Sequence, residues 1–134
     1  MDAELRELVR QRARGVCEYC RMPQRHDLLP FQIDHIIAEK HHGETVAENL
    51  ALSCFNCNVH KGPNVAGLDP LTGQVTALFH PRRDPWNDHF RWDDDETLRG
   101  RTPAGRATVD VLNINLPARR EHRRLLSHAG LLSH

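Results

Sequence analysis

Three short stretches carry residues that could do chemistry together. Asp34-His35 sets a carboxylate beside an imidazole. Cys54-Phe55-Asn56-Cys57-Asn58 sets two thiols at zinc spacing, with an amide directly after the second. Cys17-Glu18-Tyr19-Cys20 is a matching thiol pair upstream. Zinc prefers four tetrahedral ligands, and thiolates are good ones. A Cys-x-x-Cys pair presents two sulfurs to one ion, so Cys17, Cys20, Cys54 and Cys57 make a full set. Such a site is coordinatively closed and therefore structural. The plainer alternative, a redox pair or ordinary core cysteines, explains less of the spacing.

Cys20 and Cys54 are separated by 33 residues, where a plain zinc ribbon has about 15–20. The extra length holds Asp34-His35, which suggests that the two knuckles close a base around a site. Asp34 is a hard oxygen ligand suited to Mg²⁺ or Mn²⁺, and the Asn58 amide oxygen is of the same kind. His35 can be neutral near pH 7 and take a proton from water. A base, a hard ion on phosphate and a dry scaffold are the parts of a phosphodiester hydrolase. Lys61 is placed to contact the nucleic-acid phosphate.

The surrounding elements must position these groups. Residues 3–14 read as a helix, with Asp2 as its cap, Gly15 as its stop and Leu5, Leu8 and Val9 on one face. Its arginines line the rest, as a solvated face or along phosphates. Residues 31–37 read as a strand, 39–48 as a polar loop around Gly43, and Leu50–Leu52 as a second strand. Residues 55–61 read as a helix closed by Gly62-Pro63. Neighbours in a regular strand face opposite ways. Asp34 and His35 therefore share a site only if the substrate runs between them, or if the strand is distorted there with Asn49 serving the distortion.

Downstream, 68–73 read as a turn, Val75–Phe79 as a strand, and Pro81 to Pro85 as a loop. Trp86, Phe90 and Trp92 are expected to cover a small core. Residues 93–96 form an acidic turn from which 97–101 return. Thr102-Pro103 opens a helix with Ala107, Val111 and Ile114 as its stripe. Pro117 opens a last helix whose Arg119, Arg120, Arg123 and Arg124 read as a packed helix's solvated face or as a base-reading surface.

The length, 134 residues with seven aromatics, fits one domain with a modest core, for which a metal is a useful staple. Net charge is zero, yet residues 101–134 carry six Arg against Asp110 and Glu121. A local basic face is therefore compatible with the balanced sum. No apolar run reaches the length of a membrane span, and Met1–Arg14 lacks a signal-peptide segment. Metal binding is thus favoured over disulfides, and a cytoplasmic location is the default.

Asp34-His35-Ile36, Asn49-Leu50 and Cys54-x-x-Cys57-Asn58-x-x-Lys61-Gly62 together resemble the HNH endonucleases. They resemble in particular those whose ββα-metal motif is clamped by two Cys-x-x-Cys knuckles. The resemblance covers residues 17–62. The segment from Leu68 to Val109 is loosely similar to extensions on bacterial proteins of this type. The resemblance implies an α+β fold: a ββα-metal core over 15–63 with structural zinc, an N-terminal helix and a C-terminal hairpin-plus-helices extension over 64–134. The whole, 1–134, would be one nuclease domain.

The resemblance also implies roles. His35 is the general base, and Asp34 and Asn58 hold the catalytic Mg²⁺ or Mn²⁺. Asn49 ties the loop between the strands and orients His35. Asn58 stands where many members carry a histidine, so this is an H-N-N variant. His60, two places on, points away from the Asn58 face, and His41 and His42 read as exposed loop residues. The expected substrate is nucleic acid, with double-stranded DNA first. The competing readings are a zinc-stapled nucleic-acid-binding module without turnover, and a degenerate fold serving protein contacts.

Overall fold

Helix α1 spans Ala3–Ala13 in the computed structural model, which describes residues 1–132 and His134. Its Asp2 cap accepts a hydrogen bond from the Leu5 amide at 2.8 Å. Arg14 and Gly15, both at positive φ (55° and 73°), end it. The buried face differs from the expected one: Val9 and Ala13 are buried and Leu5 is partly so, whereas Leu8 is exposed. The face that counts is i, i+4, i+8, because α1 lies along a single narrow strand pair rather than in a broad groove.

That pair is β1 (Gln32–His35) and β2 (Leu50–Ser53), antiparallel, in unbroken register from Gln32↔Ser53 to His35↔Leu50. β1 is shorter than the 31–37 expected. β2 is buried along its whole length. Its Leu52 amide donates to the Glu18 carboxylate at 2.8 Å, and its Leu50 carbonyl accepts from the Arg12 guanidinium. These bonds tie α1 and the first knuckle to β2. Helix α2, Phe55–Lys61, follows at once and ends at Gly62, as the sequence indicates.

The extension contains two more antiparallel pairs. β3 (Ala66–Leu68) and β4 (Val75–Ala77) form a hairpin in which Leu68 faces Val75. β3 was not expected, since only a turn at 68–73 was legible; β4 supplies the pairing that makes Ala66–Leu68 a strand. β4 stops at Ala77, and Leu78 and Phe79 leave it as buried core residues. After the one-turn helix α3 (Trp86–His89), β5 (Phe90–Trp92) pairs with β6 (Leu98–Gly100) around the acidic turn. Helix α4, Pro103–Val111, is capped by Thr102, whose hydroxyl accepts from the Gly105 amide at 3.0 Å. Ile114 lies beyond this helix, although it is fully buried. Helix α5 spans Pro117–His128.

Several contacts join extension to core, aromatic packing among them. Phe79 packs edge-on against Tyr19 (centroids 6.5 Å) and Phe90 (5.1 Å). The Trp86 indole donates to the Tyr19 carbonyl at 2.9 Å. A separate anchor lies inside the extension. Asp69, buried in the β3–β4 turn, takes a forked pair of hydrogen bonds from Arg106 on α4 at 2.8 and 2.9 Å. The architecture is α+β with small antiparallel sheets, as expected. Among the described residues no helix is long and apolar enough to cross a membrane.

Candidate active site and metal centre

The two knuckles are built alike. In each, the second cysteine's amide donates to the first cysteine's sulfur: Cys20 to Cys17 at 3.5 Å and Cys57 to Cys54 at 3.4 Å. Cys54 is also the cap of α2, so one residue starts the helix and aims a thiol. The strand pair brings the knuckles together. All four sulfurs lie within 4.8 Å of one another, and Cys20 and Cys54 are 3.7 Å apart. Tetrahedral zinc with bonds near 2.3 Å needs sulfurs about 3.8 Å apart. No disulfide links them. The four cysteines form a cluster fit for structural zinc.

Arg119 on α5 is buried against this cluster. Its guanidinium donates to Cys57 Sγ at 3.0 Å and to Cys54 Sγ at 3.8 Å. It also donates to the carbonyls of Leu112 and Asn113 at 2.7 and 3.2 Å. Burial pulls the guanidinium pKa down, but the charge of Cys57, Cys20 and Cys54 outweighs it and holds Arg119 above its ordinary value. Burial pushes the Cys17 and Cys57 thiols up, while hydrogen bonds from Cys17, Cys54 and Cys57 hold Cys20 down. Arg123 is also buried, on the carbonyls of Glu96 and Ile114, with Trp92 5.3 Å beneath it. The four arginines of α5 therefore split: Arg119 and Arg123 face inward, and only Arg124 is fully at the surface. The helix packs through Arg119 and Arg123, whose donors meet carbonyls and sulfurs at its inner side, while Arg120 and Arg124 stay on the solvated side.

Asp34 and His35 point to opposite sides of β1. Asp34 is turned inward. Its Oδ2 accepts from the Tyr19 hydroxyl at 2.7 Å, and Lys61 Nζ lies 3.1 Å from Oδ2 and 3.4 Å from Oδ1. Burial pushes the Asp34 carboxyl above its usual range, opposed by Lys61 and by the Tyr19 hydrogen bond. Tyr19 is itself held protonated by burial and by the charge of Asp34, so it acts as a donor. Lys61 was expected on phosphate. Instead its side chain is 2 % exposed, and it also donates to the His35 carbonyl at 3.2 Å.

His35 faces outward, with Nε2 2.9 Å from the Thr45 hydroxyl and 3.7 Å from a Glu39 carboxylate oxygen. The strand register is continuous here, so no distortion turns the two neighbours to one face. Asn49 acts on the loop. Its amide oxygen accepts from the Ile37 amide, and its nitrogen donates to the carbonyls of Ile37 and Glu44, each at 2.9 Å. The loop threads closely past it: a Cβ on Gly43 would sit 1.7 Å from the Ile37 oxygen and 2.9 Å from Asn49 Nδ2. Through Glu44, Asn49 sets the place of Thr45, and Thr45 holds the His35 ring.

Asn58 is half-buried on α2, and its side-chain amide makes no hydrogen bond among the described residues. It lies three residues before Lys61, hence on the same helix face. No hydrogen bond joins Asn58 to Asp34. His60 turns its ring back on its own helix, to the Asn56 carbonyl at 2.8 Å. The fit of a hard cation at Asp34 rests on a stand-in, since a buried ammonium already occupies its carboxylate. Sequence reasoning missed Tyr19, Thr45 and Arg119. Tyr19, the chain's one tyrosine, sits within a knuckle, which is a signal; the other two had none.

Residues 17–64 match the HNH endonuclease family. That segment contains both knuckles, β1, β2 and all of α2, and ends at residue 64, where the extension begins. No curated protein and no solved structure matches the chain significantly.

Proposed function

We propose that this HNH segment, with its extension, is a metal-dependent endonuclease that hydrolyses phosphodiester bonds, with double-stranded DNA as its substrate. The reading takes residues 1–134 as one cytoplasmic nuclease domain, core 15–63. The observation that carries it is the β1–β2–α2 unit of the matched segment, which holds His35 at the end of β1 against Thr45 of a tethered loop, with a carboxylate at its back.

In this reading His35 is the general base. Thr45, accepting from Nε2–H, leaves the lone pair on Nδ1 to take a proton from water. Asn49 holds the loop that carries Thr45. Asp34 and Asn58 would hold Mg²⁺ or Mn²⁺, which supplies charge for the phosphate and the leaving oxygen. Since Asp34 and His35 face opposite ways, the scissile phosphate lies at the edge of β1, between them. The four-cysteine zinc holds this frame and takes no part in the reaction.

The test is nicking of a supercoiled plasmid. Cutting with Mg²⁺ or Mn²⁺ and none in EDTA is expected, with zinc content checked so that loss of fold is not mistaken for loss of the catalytic ion. His35→Ala should cut about 10²–10⁴-fold more slowly with its melting temperature unchanged. Binding without cutting under every metal condition would favour the zinc-stapled binding module.

A further inference from the structure

We infer that Tyr19 and Lys61 are the positioning residues of the Asp34 carboxylate, and that the Lys61 ammonium is a resident cation with which an incoming divalent ion competes. The inference rests on the reading of Asp34 as a ligand of that ion.

A buried carboxylate without a partner is costly, and Asp34 is buried. It has two partners of different kinds. Tyr19 is a neutral donor at 2.7 Å, which fixes the plane of the carboxylate without adding charge. It belongs to the first knuckle, so the same turn that aims Cys17 and Cys20 at zinc aims this hydroxyl at Asp34. Lys61 is a full charge within 3.1 and 3.4 Å of the two oxygens, and it leans on the His35 carbonyl at 3.2 Å as well. An ionised carboxylate has room for about four donors. Space is therefore not what separates Lys61 from a metal ion; like charge is.

The surroundings give the ammonium room to yield. A cavity of about 250 Å³ runs beside Lys61, lined by Asn64, Leu78, Phe79 and His80. A four-carbon stem can shift into it without moving α2. The two positioning residues thus act on the ion with opposite signs. Tyr19 prepares Asp34 for it; Lys61 guards Asp34 in its absence and opposes its arrival. A merely structural role would make both substitutions weaken binding.

The experiment is Mn²⁺ titration of the full, zinc-loaded chain, followed by the free-Mn²⁺ paramagnetic resonance signal. Tyr19→Phe should bind about tenfold more weakly, and Lys61→Met about tenfold more tightly. Lys61→Arg, which keeps the charge, should not tighten. If Lys61→Met does not fold, Lys61→Gln is read instead, by a larger Mn²⁺-induced rise in melting temperature than the wild type shows. Unchanged or weaker binding in the neutral Lys61 variants overturns the inference. So does an Asp34→Asn variant that binds Mn²⁺ as the wild type does. If the wild type binds Mn²⁺ through Asp34 and the Lys61 variants tighten it, yet no plasmid is cut, the nuclease reading falls and the inference stands.

Discussion

The thiol cluster, an anion once it holds zinc, and the Asp34 carboxylate are both buried, and each is met by one buried cation. The cations differ in origin and in consequence. Lys61 comes from α2, within the matched HNH segment, and contacts one carboxylate and the His35 carbonyl, with a cavity beside its stem. Arg119 comes from α5, outside that segment, and spreads its fork over two sulfurs and two carbonyls. A compact ammonium on a flexible stem can leave; a planar guanidinium with four partners cannot leave without opening the fold. The thiol cluster is locked from outside the matched segment, and the Asp34 carboxylate is paired from within it. The extension is therefore part of the zinc centre's construction, and the small core is completed by residues far along the chain.

Stripping the zinc should break this contrast most severely. Structural zinc contributes about 10–16 kcal/mol in small zinc domains. Here it would leave four buried thiols around an uncompensated Arg119. Prolonged treatment with a strong chelator, or Cys57→Ser, should abolish the cooperative thermal transition and any cutting, read by circular dichroism and zinc analysis. A chain that keeps its transition without zinc would reduce the cluster to ordinary core. Arg119→Met comes next. It removes the lock while leaving all four ligands, at a cost of about 3–5 kcal/mol for breaking a buried charge contact. Zinc release to a chromogenic chelator should quicken, and Arg119→Lys should recover only part of the loss, because it keeps charge and not the fork. Equal release rates would show that α5 merely lies near the cluster.

The same contrast explains what was legible in the sequence. Cys17-x-x-Cys20 and Cys54-x-x-Cys57 are local patterns, and a four-residue turn suffices to read them. The strand–loop–strand–helix order around them followed from Gly, Pro and apolar spacing, and α2 has the bounds expected. The partners of the two anions were not legible in this way. Lys61 reaches Asp34 across α2 and β1, and its side chain reads equally well as a phosphate contact. Arg119 sits among three other arginines in a helix of amphipathic sequence, and only packing decides which of them turn inward. β3 was hidden for a related reason, since Ala66–Leu68 is a strand only because β4 pairs with it. Leu8 was misplaced because helical spacing permits two apolar faces and α1 uses the one that fits β2. Of the two ways Asp34 and His35 could share a site, the regular register excludes a distorted β1.

A milder substitution separates the two centres without touching either cation. Gly43→Ala forces the loop off the Ile37 carbonyl and the Asn49 amide, which an added Cβ would approach to 1.7 and 2.9 Å. Thr45 then loses its place on His35. Cutting should fall about 10–100-fold, the scale expected when a positioning contact to a base is misplaced. Zinc content and Mn²⁺ affinity at Asp34 should stay as they are. A parallel loss of zinc would mean that the loop and the knuckles are one cooperative unit, and the division into a locked and a guarded centre would need redrawing.

The smallest effect lies at a third buried anion, one with no metal in prospect. Arg106 first, then the Leu71 amide and the Thr72 hydroxyl, hold the Asp69 carboxyl well below the usual carboxylate range. A folded-state value below the unfolded one, about 3.9, stabilises the fold above that pH and ceases to as pH falls through the folded value. Arg106→Met should therefore be less stable than the wild type at neutral pH. The gap between their urea midpoints should close progressively below about pH 4. The difference between the two chains is the quantity to follow, because acid also protonates the zinc ligands in both. A gap that stays constant to pH 2.5 would mean that Arg106 contributes packing rather than charge. The pairing of a buried anion with one cation would then be a feature of the thiol cluster and of Asp34, and not of the extension that supports them.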